Sequence, residues 1–325
     1  MKLKHIATIG LALAPATAFA GPAINGAGAT FPAPIYQRWF VDYSSTTGEK
    51  VNYQSVGSGA GVRQFVAGTV DFGATDEPIK AKEAAKVKRG VVQIPMVGGT
   101  IAVAYNKPGC KLKLTQKQVV HIFMGHIKDW KEVGCAAGSI RVVHRSDGSG
   151  TTYAFTNSLD AFGGWTAGVG KSINWPTGVG AKGNEGVAGT LSNTPGGIGY
   201  LNTGFVRANK LQAAVLQNKA GKFVGPSAVT GAAALNGIKL DPVTLAGEDP
   251  NPAGARAYPI STLTWILAYK SGYAPGKASA VRDALNYALS SKAQSIADDL
   301  GYVPLAGSVL NRARLKVQQV GLGEK

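Results

Sequence analysis

The sequence predicts an α/β fold built as two lobes that share strands. Three observations carry this. Stretches of strand, glycine-rich loop and helix character recur in that order. The 325 residues suggest two domains and can bury a sizeable core. No internal repeat or low-complexity linker separates the halves, which suits lobes joined by crossing strands better than independent beads. In such units ligands gather at strand ends, so the intervening loops are where functional residues belong.

The elements follow in order. Gly26 to Pro34 reads as a glycine-rich turn running into a helix over Ile35 to Tyr43, where Ile35, Trp39 and Phe40 share one face and the prolines suit a first turn. Lys50 to Val56 alternates like a strand and ends in Gly57-Ser58-Gly59-Ala60-Gly61, ahead of the helix-like Val62 to Ala67. Val70 to Ala74 is a further strand, with Thr75 and Asp76 just past its end. Ile94 to Asn106 is an apolar strand closing the first unit. A second unit carries a helix over Thr115 to Gly125 and a strand over Ile140 to Val143. Glycine-rich connections dominate from Gly163 to Gly204, Thr262 to Tyr269 reads as a strand, and Val281 to Asp299 and Ser308 to Val320 read as helices.

The formal charge of +16 invites a nucleic-acid or anionic-membrane partner. Its lysines are scattered, however, with no aromatic-interleaved motif, so a solvated basic face is the better reading and no nucleic acid is expected. Lys2 and Lys4, an apolar run from Ile6 to Pro15 and Ala18-Phe19-Ala20 together read as a cleaved export signal over residues 1–20. The run is too short to span a membrane. The mature chain is expected to begin at Gly21, with no cysteine there for a lipid anchor and no later membrane span. In an oxidising compartment Cys110 and Cys135, the only two cysteines, read as a disulfide. A loop of that size is worth roughly 3 kcal/mol.

The densest chemistry lies in His144-Arg145-Ser146-Asp147-Gly148-Ser149-Gly150-Thr151-Thr152, followed by an apolar helix-capable run. A glycine-rich loop opening a helix offers unpaired N–H groups to an anion, and Arg145 adds a planar cation. Alone, the segment reads equally well as an ordinary polar turn. Other constellations fail on spacing. Gly168 to Ser172 resembles the end of a P-loop, but the required glycine position holds Trp165. Gly57-Ser58-Gly59 and Gly148-Ser149-Gly150 lack the nucleophile-elbow spacing, and His144, Asp147 and Ser149 are sequence neighbours rather than members of separate elements, as a triad requires. Two cysteines and scattered histidines give no zinc spacing, so neither metal nor cofactor is expected.

Four stretches in order resemble the periplasmic phosphate-binding proteins of ABC phosphate importers: Gly26 to Pro34; Val51-Asn52-Tyr53-Gln54 with Gly57-Ser58; Val70 to Ala74 with Asp76; and Arg145 with Asp147 to Thr151. Weaker agreement runs through Gly183-Asn184-Glu185-Gly186, Pro195 to Tyr200 and Leu300 to Pro304, so the similarity spans nearly the whole mature chain. The resemblance implies a type II periplasmic binding fold, each lobe a mixed sheet flanked by helices with the ligand in the cleft. It implies lobe 1 over 21–107 and 256–325, and lobe 2 over 108–255. It also implies phosphate held by Thr30, the Phe31 N–H, Ser58, Asp76, Arg145, Ser149, the Gly150 N–H and Thr151, with Asp147 orienting Arg145. The expected protein is a monomeric, periplasmic, non-enzymatic carrier serving an inner-membrane ABC permease. The Cys110–Cys135 pair is not a general feature of that family.

The residue types suit the ligand. Hydroxyls, peptide N–H groups and a guanidinium all donate to oxyanion oxygens. Asp76, when ionised, can only accept: it takes the proton of hydrogen phosphate but repels the bare oxygens of sulfate. A helix N-cap is the plainer role for Asp76. Other readings are a binder of arsenate, sulfate or molybdate, and, from a different class, a secreted phosphatase with Ser149 or Ser58 as nucleophile.

Overall fold

The structure, a computed structural model, describes residues 23–323; the expected export signal over residues 1–20 and the start at Gly21 lie outside the described residues. The first strand, β1 (Ile24–Gly28), departs from expectation, because the first third of the run expected to form a turn is extended. It pairs in parallel with β2 (Val51–Ser55) and β3 (Phe72–Thr75). A Cβ at position 26 would lie 2.0 Å from the ring of Phe72, so the glycine is there to admit that ring. Between β1 and β2 runs α1 (Ala33–Thr47), opened by Pro32 and Pro34 and burying Ile35, Tyr36, Trp39, Phe40 and Tyr43. α2 (Ser58–Ala67) joins β2 to β3, and short α3 (Ala81–Ala84) leads to the sixteen-residue β4 (Val91–Asn106).

The second half begins with β5 (Lys113–Leu114), α4 (Gln116–Phe123) with its Thr115 N-cap, and a 3-10 turn at Trp130–Val133. Then come β6 (Arg141–Arg145), α5 (Gly150–Phe162), β7 (Val179–Ala181), α6 (Gly183–Ser192), β8 (Gly197–Asn202) and α7 (Thr203–Ala208). Short β9 (Gln212–Ala213), β10 (Val215–Gln217) and β11 (Phe223–Val224) precede α8 (Ala228–Leu235) and β12 (Ser261–Tyr269). The chain closes with α9 (Lys277–Ala288), α10 (Ser291–Ser295) and α11 (Gly307–Val317).

β4 is the joint of the molecule. The main sheet runs β2-β1-β3-β12-β4-β8-β6-β7, with β9 also on β4. Along β4, Val91 to Thr100 pairs antiparallel with β12, and Ile101 to Asn106 pairs antiparallel with β8. One strand therefore serves two mixed sheets, one on each side of Thr100. The chain crosses again near Ile260, whose carbonyl accepts from the Ile101 N–H at 2.9 Å. Residues 228–250 also lie back on the joint: α8 packs on β4, Gln93 donates to the Thr244 carbonyl and the Trp265 indole to that of Leu245.

Two readings need correction. The stretch from Gly163 to Gly204 holds α6 and the fully buried β8, not connections alone. Some of its glycines are packing positions; a Cβ on Gly199 would stand 2.7 Å from the Val143 carbonyl. The single helix expected over Val281 to Asp299 is two, because Ser290 turns its hydroxyl to the Ala293 N–H and caps α10. Cys110 and Cys135 form the expected disulfide, tying the turn after β4 to the loop after the 3-10 turn. Among the described residues no helix is long and apolar enough to cross a membrane.

Candidate functional site

The N-termini of α1, α2, α5 and α6 meet at the joint between the two sheets. Each strand–loop–helix passage delivers a short polar segment there, and these helices leave their opening N–H groups without intrahelical partners. β1 leads to Thr30 and Phe31, β2 to Ser58, β3 to Asp76, and β6 to Arg145 and the start of α5. All of the polar side chains expected at the site except Asp147 are buried.

Asp76 is the one carboxylate among them. Its N–H donates to Ser58 Oγ at 3.3 Å, Thr264 Oγ1 donates to Oδ1 at 2.8 Å, and Thr151 Oγ1 donates to Oδ2 at 3.4 Å. Burial pushes its pKa up to about 7, against the opposing pull of the Thr264 hydroxyl, the Arg145 charge and the Thr151 hydroxyl. A carboxyl expected from sequence to be simply ionised is thus close to half protonated at neutral pH. It is not a helix N-cap: no helix starts at its side chain.

Arg145 is held from two sides. Its Nε and Nη2 donate to the two oxygens of Asp147 at 2.7 and 2.6 Å, the bidentate geometry a guanidinium favours. Nη1 points to Thr151 Oγ1 at 3.4 Å. Burial works to raise the Asp147 carboxyl, but the hydrogen bonds and charge of Arg145, helped by the Gly183 N–H, outweigh it and hold the pKa below the usual carboxylate range. Gly57, in the left-handed region at φ +89°, gives Asp147 its space: a Cβ there would lie 2.3 Å from Oδ2.

The remaining expected residues are donors. Ser149 caps α5, its Oγ accepting from the Thr152 N–H at 2.9 Å, which leaves the hydroxyl proton to give. The N–H groups of Phe31, Gly150 and Thr151 have no acceptor among the described residues. A Cβ on Gly150 would stand 2.5 Å from Ser58 Oγ and 2.7 Å from the Asp76 N, so only glycine brings α5 this close to β3. Phe31 buries its ring edge-on to Tyr302, whose hydroxyl donates to the Phe31 carbonyl at 2.7 Å. The structure therefore brings Thr30, Phe31, Ser58, Asp76, Arg145, Ser149, Gly150 and Thr151 to one place, with Asp147 behind Arg145. This is a buried cluster of donors facing one tunable acceptor, suited to a partly protonated tetrahedral oxyanion.

Several residues here escaped sequence reasoning. Thr264 lies in the apolar β12 and reads as a strand residue. Asn184 bridges Thr30 and Thr151; in sequence it belongs only to the weaker agreement over Gly183 to Gly186, which assigns it no role. Glu77, next to Asp76, is buried and lies 2.6 Å from Lys171 Nζ and 3.1 Å from Lys80 Nζ. Other polar contacts rim the site: Gly59 N–H to the Gly148 carbonyl at 2.8 Å, and Ser55 Oγ to Glu185 at 2.7 Å. His144 shares no hydrogen bond with either serine among the described residues; its Nδ1 lies against the Arg145 carbonyl and its ring stacks on Trp175. Among the described residues there is no cluster of metal-ligating side chains.

Fold and site together define a two-lobed solute-binding protein, and residues 14–292 match the model of the PBP superfamily domain. The chain is 42% identical to the phosphate-binding protein PstS of Pasteurella multocida over 89% of its own length and 88% of that protein's. It is 41% identical to the PstS of Haemophilus influenzae, over 89% and 90% respectively. The chain belongs to this PstS family of the PBP superfamily. The fold is that of a periplasmic phosphate-binding protein solved with phosphate, PfluDING, at a TM-score of 0.77 and 23% identity, covering 90% of this chain and 93% of that one. A phosphate-binding protein from Stenotrophomonas maltophilia superposes with a TM-score of 0.73 at 20% identity, over 90% and 93%.

Proposed function

We propose that this protein binds inorganic phosphate between its lobes in the periplasm and delivers it, as a monomer and without chemical turnover, to an inner-membrane ABC permease. Thr30, Ser58, Arg145, Ser149 and Thr151, with the N–H groups of Phe31 and Gly150, donate to the phosphate oxygens. Asp76 accepts the proton of hydrogen phosphate. Asp147 keeps the guanidinium of Arg145 in place. Lobe 1 comprises 21–107 and 256–325 and lobe 2 comprises 108–255, with β4 and the crossing near Ile260 as the connections.

The observation that carries the reading is the buried Asp76 carboxyl set among hydroxyl and peptide donors, within the influence of the Arg145 charge. A site for sulfate would want no acceptor, because an ionised carboxylate against a bare oxyanion is left unpaired and costs roughly 1–3 kcal/mol or more. A phosphatase would need a base beside Ser58 or Ser149, and His144 makes its hydrogen bond elsewhere. The PstS relatives point the same way.

Calorimetric titration with phosphate and with sulfate at pH 8 tests this. Binding of phosphate at least about 100-fold tighter than sulfate is expected; equal affinities would sink the role given to Asp76. Steady hydrolysis of a phosphate ester by pure protein, lost in Ser149→Ala, would instead favour the enzyme.

A further inference from the structure

Asn184, the second residue of α6, contacts both sides of the site and is fully enclosed. Its Nδ2 lies 2.8 Å from Thr30 Oγ1 and 3.1 Å from Thr151 Oγ1, and its Oδ1 lies 3.0 Å from the Asn202 N. Its own backbone N–H reaches the same Thr30 Oγ1 at 3.0 Å. Resting on the phosphate reading above, we infer that Asn184 is a positioning residue that compels the Thr30 hydroxyl to donate to the bound oxyanion and fixes the Thr151 hydroxyl as a donor rather than an acceptor.

The direction of every bond in this chain follows from two backbone groups that cannot reverse. The N–H of Asn202 can only donate, so the amide atom facing it is the oxygen, and the two protons of the Asn184 amide must face the threonines. The N–H of Asn184 can likewise only donate, and it does so to Thr30. A hydroxyl has two lone pairs and one proton. Both lone pairs of Thr30 Oγ1 are engaged by Asn184, so its proton points elsewhere, and it has no acceptor among the described residues. Thr151 Oγ1 receives from Asn184 and from Arg145 Nη1, and its proton lies toward Asp76 Oδ2, into the site.

The consequence is specificity. Free hydroxyls could turn a lone pair to a ligand proton and so accommodate a phosphate in any orientation. With Thr30 and Thr151 locked as donors, Asp76 is left as the acceptor for that proton. Asn184 thus sharpens a choice that Asp76 makes.

The test is a double-mutant cycle on phosphate affinity by calorimetry, using Asn184→Ala, Thr30→Val and the double variant, with thermal stability of each recorded in phosphate-free buffer. Asn184→Ala is expected to weaken phosphate binding roughly 10- to 100-fold. In the Thr30→Val background the same change should cost at least about fivefold less, since part of its target is gone. If the two losses multiply independently to within about twofold, Asn184 acts as packing and the inference falls. Should Asn184→Ala fail to fold, Asn184→Asp enters the same cycle: it keeps an oxygen for Asn202 but has no side-chain N–H to give, and the Thr30 hydroxyl can turn its proton to the new carboxylate instead of the ligand, a loss that the Thr30→Val background lacks. Failure of the unaltered protein to bind phosphate would instead remove the functional reading itself.

Discussion

Asp76 shows how much a single group can owe to its surroundings. Its carboxyl is expected near pH 4 in an unfolded chain but is raised to about 7 by burial in the folded one. Between those values the native state holds a proton that the unfolded state has lost, so Asp76 favours folding most at low pH and that contribution is lost as pH rises through 7. In phosphate-free buffer, Asp76→Asn should therefore be more stable than the parent at pH 8, on the order of a few kcal/mol, with the gap closing near pH 4. Chemical denaturation across that range checks it, and a gap that widens at low pH would contradict the assignment. The same proton bears on ligands. A neutral Asp76 can donate to a bare oxygen, so sulfate should bind more tightly at pH 5.5 than at pH 8, and Asp76→Asn should abolish most of that change.

At the scale of elements, the site is an arrangement of helix starts braced by one ion pair. Asp147 grips Arg145 bidentately and also accepts from Gly183, so it couples the end of β6 to the openings of α5 and α6. Asp147→Asn leaves a buried guanidinium half-paired. It should cost about 3 kcal/mol of stability, the low end for a broken buried pair because Asp147 keeps 14% of its side chain exposed. Phosphate affinity should fall roughly tenfold as the guanidinium loses its orientation. Unchanged affinity in calorimetry would show that Arg145 needs no brace. The disulfide lies outside this arrangement. Reducing and alkylating Cys110 and Cys135 should lower unfolding stability by roughly 3 kcal/mol while leaving phosphate affinity intact.

For the whole molecule, the question is what holds the lobes together around a ligand. Lys171 reaches from the loop after α5 to Glu77, and its own carbonyl accepts from the Ser149 N–H at 2.8 Å. Both partners are therefore tied to residues of the proposed site, Glu77 beside Asp76 and Lys171 behind Ser149. Glu77 keeps Lys80 at 3.1 Å, so opening the cleft would not strand it. On this basis Lys171→Ala should weaken phosphate binding only about fivefold, and it should flatten the dependence of affinity on salt. Titrations between low and high ionic strength measure both, and a salt dependence equal to that of the parent would exclude Lys171 as a latch.

The legible part of this protein is local. Loops rich in glycine and hydroxyls before apolar helical runs mark candidate anion sites, and spacing alone marks α1, α2, β2, β4 and β12. Arg145, Asp147, Ser149, Gly150 and Thr151 could be read together because they are contiguous. What required the tertiary structure is whatever depends on neighbours distant in sequence. Gly26 and Gly199 look like turn residues until Phe72 and the Val143 carbonyl occupy the space beside them. Thr264 looks like a strand residue until β12 aligns it with Asp76, 188 positions away. Asn184 gains its role only where Thr30, Thr151 and Asn202 converge on one amide. Sequence determines which groups can donate and accept; the raised pKa of Asp76 and the direction of each hydroxyl come from burial and from fixed backbone N–H groups, which exist only once the chain has closed on itself.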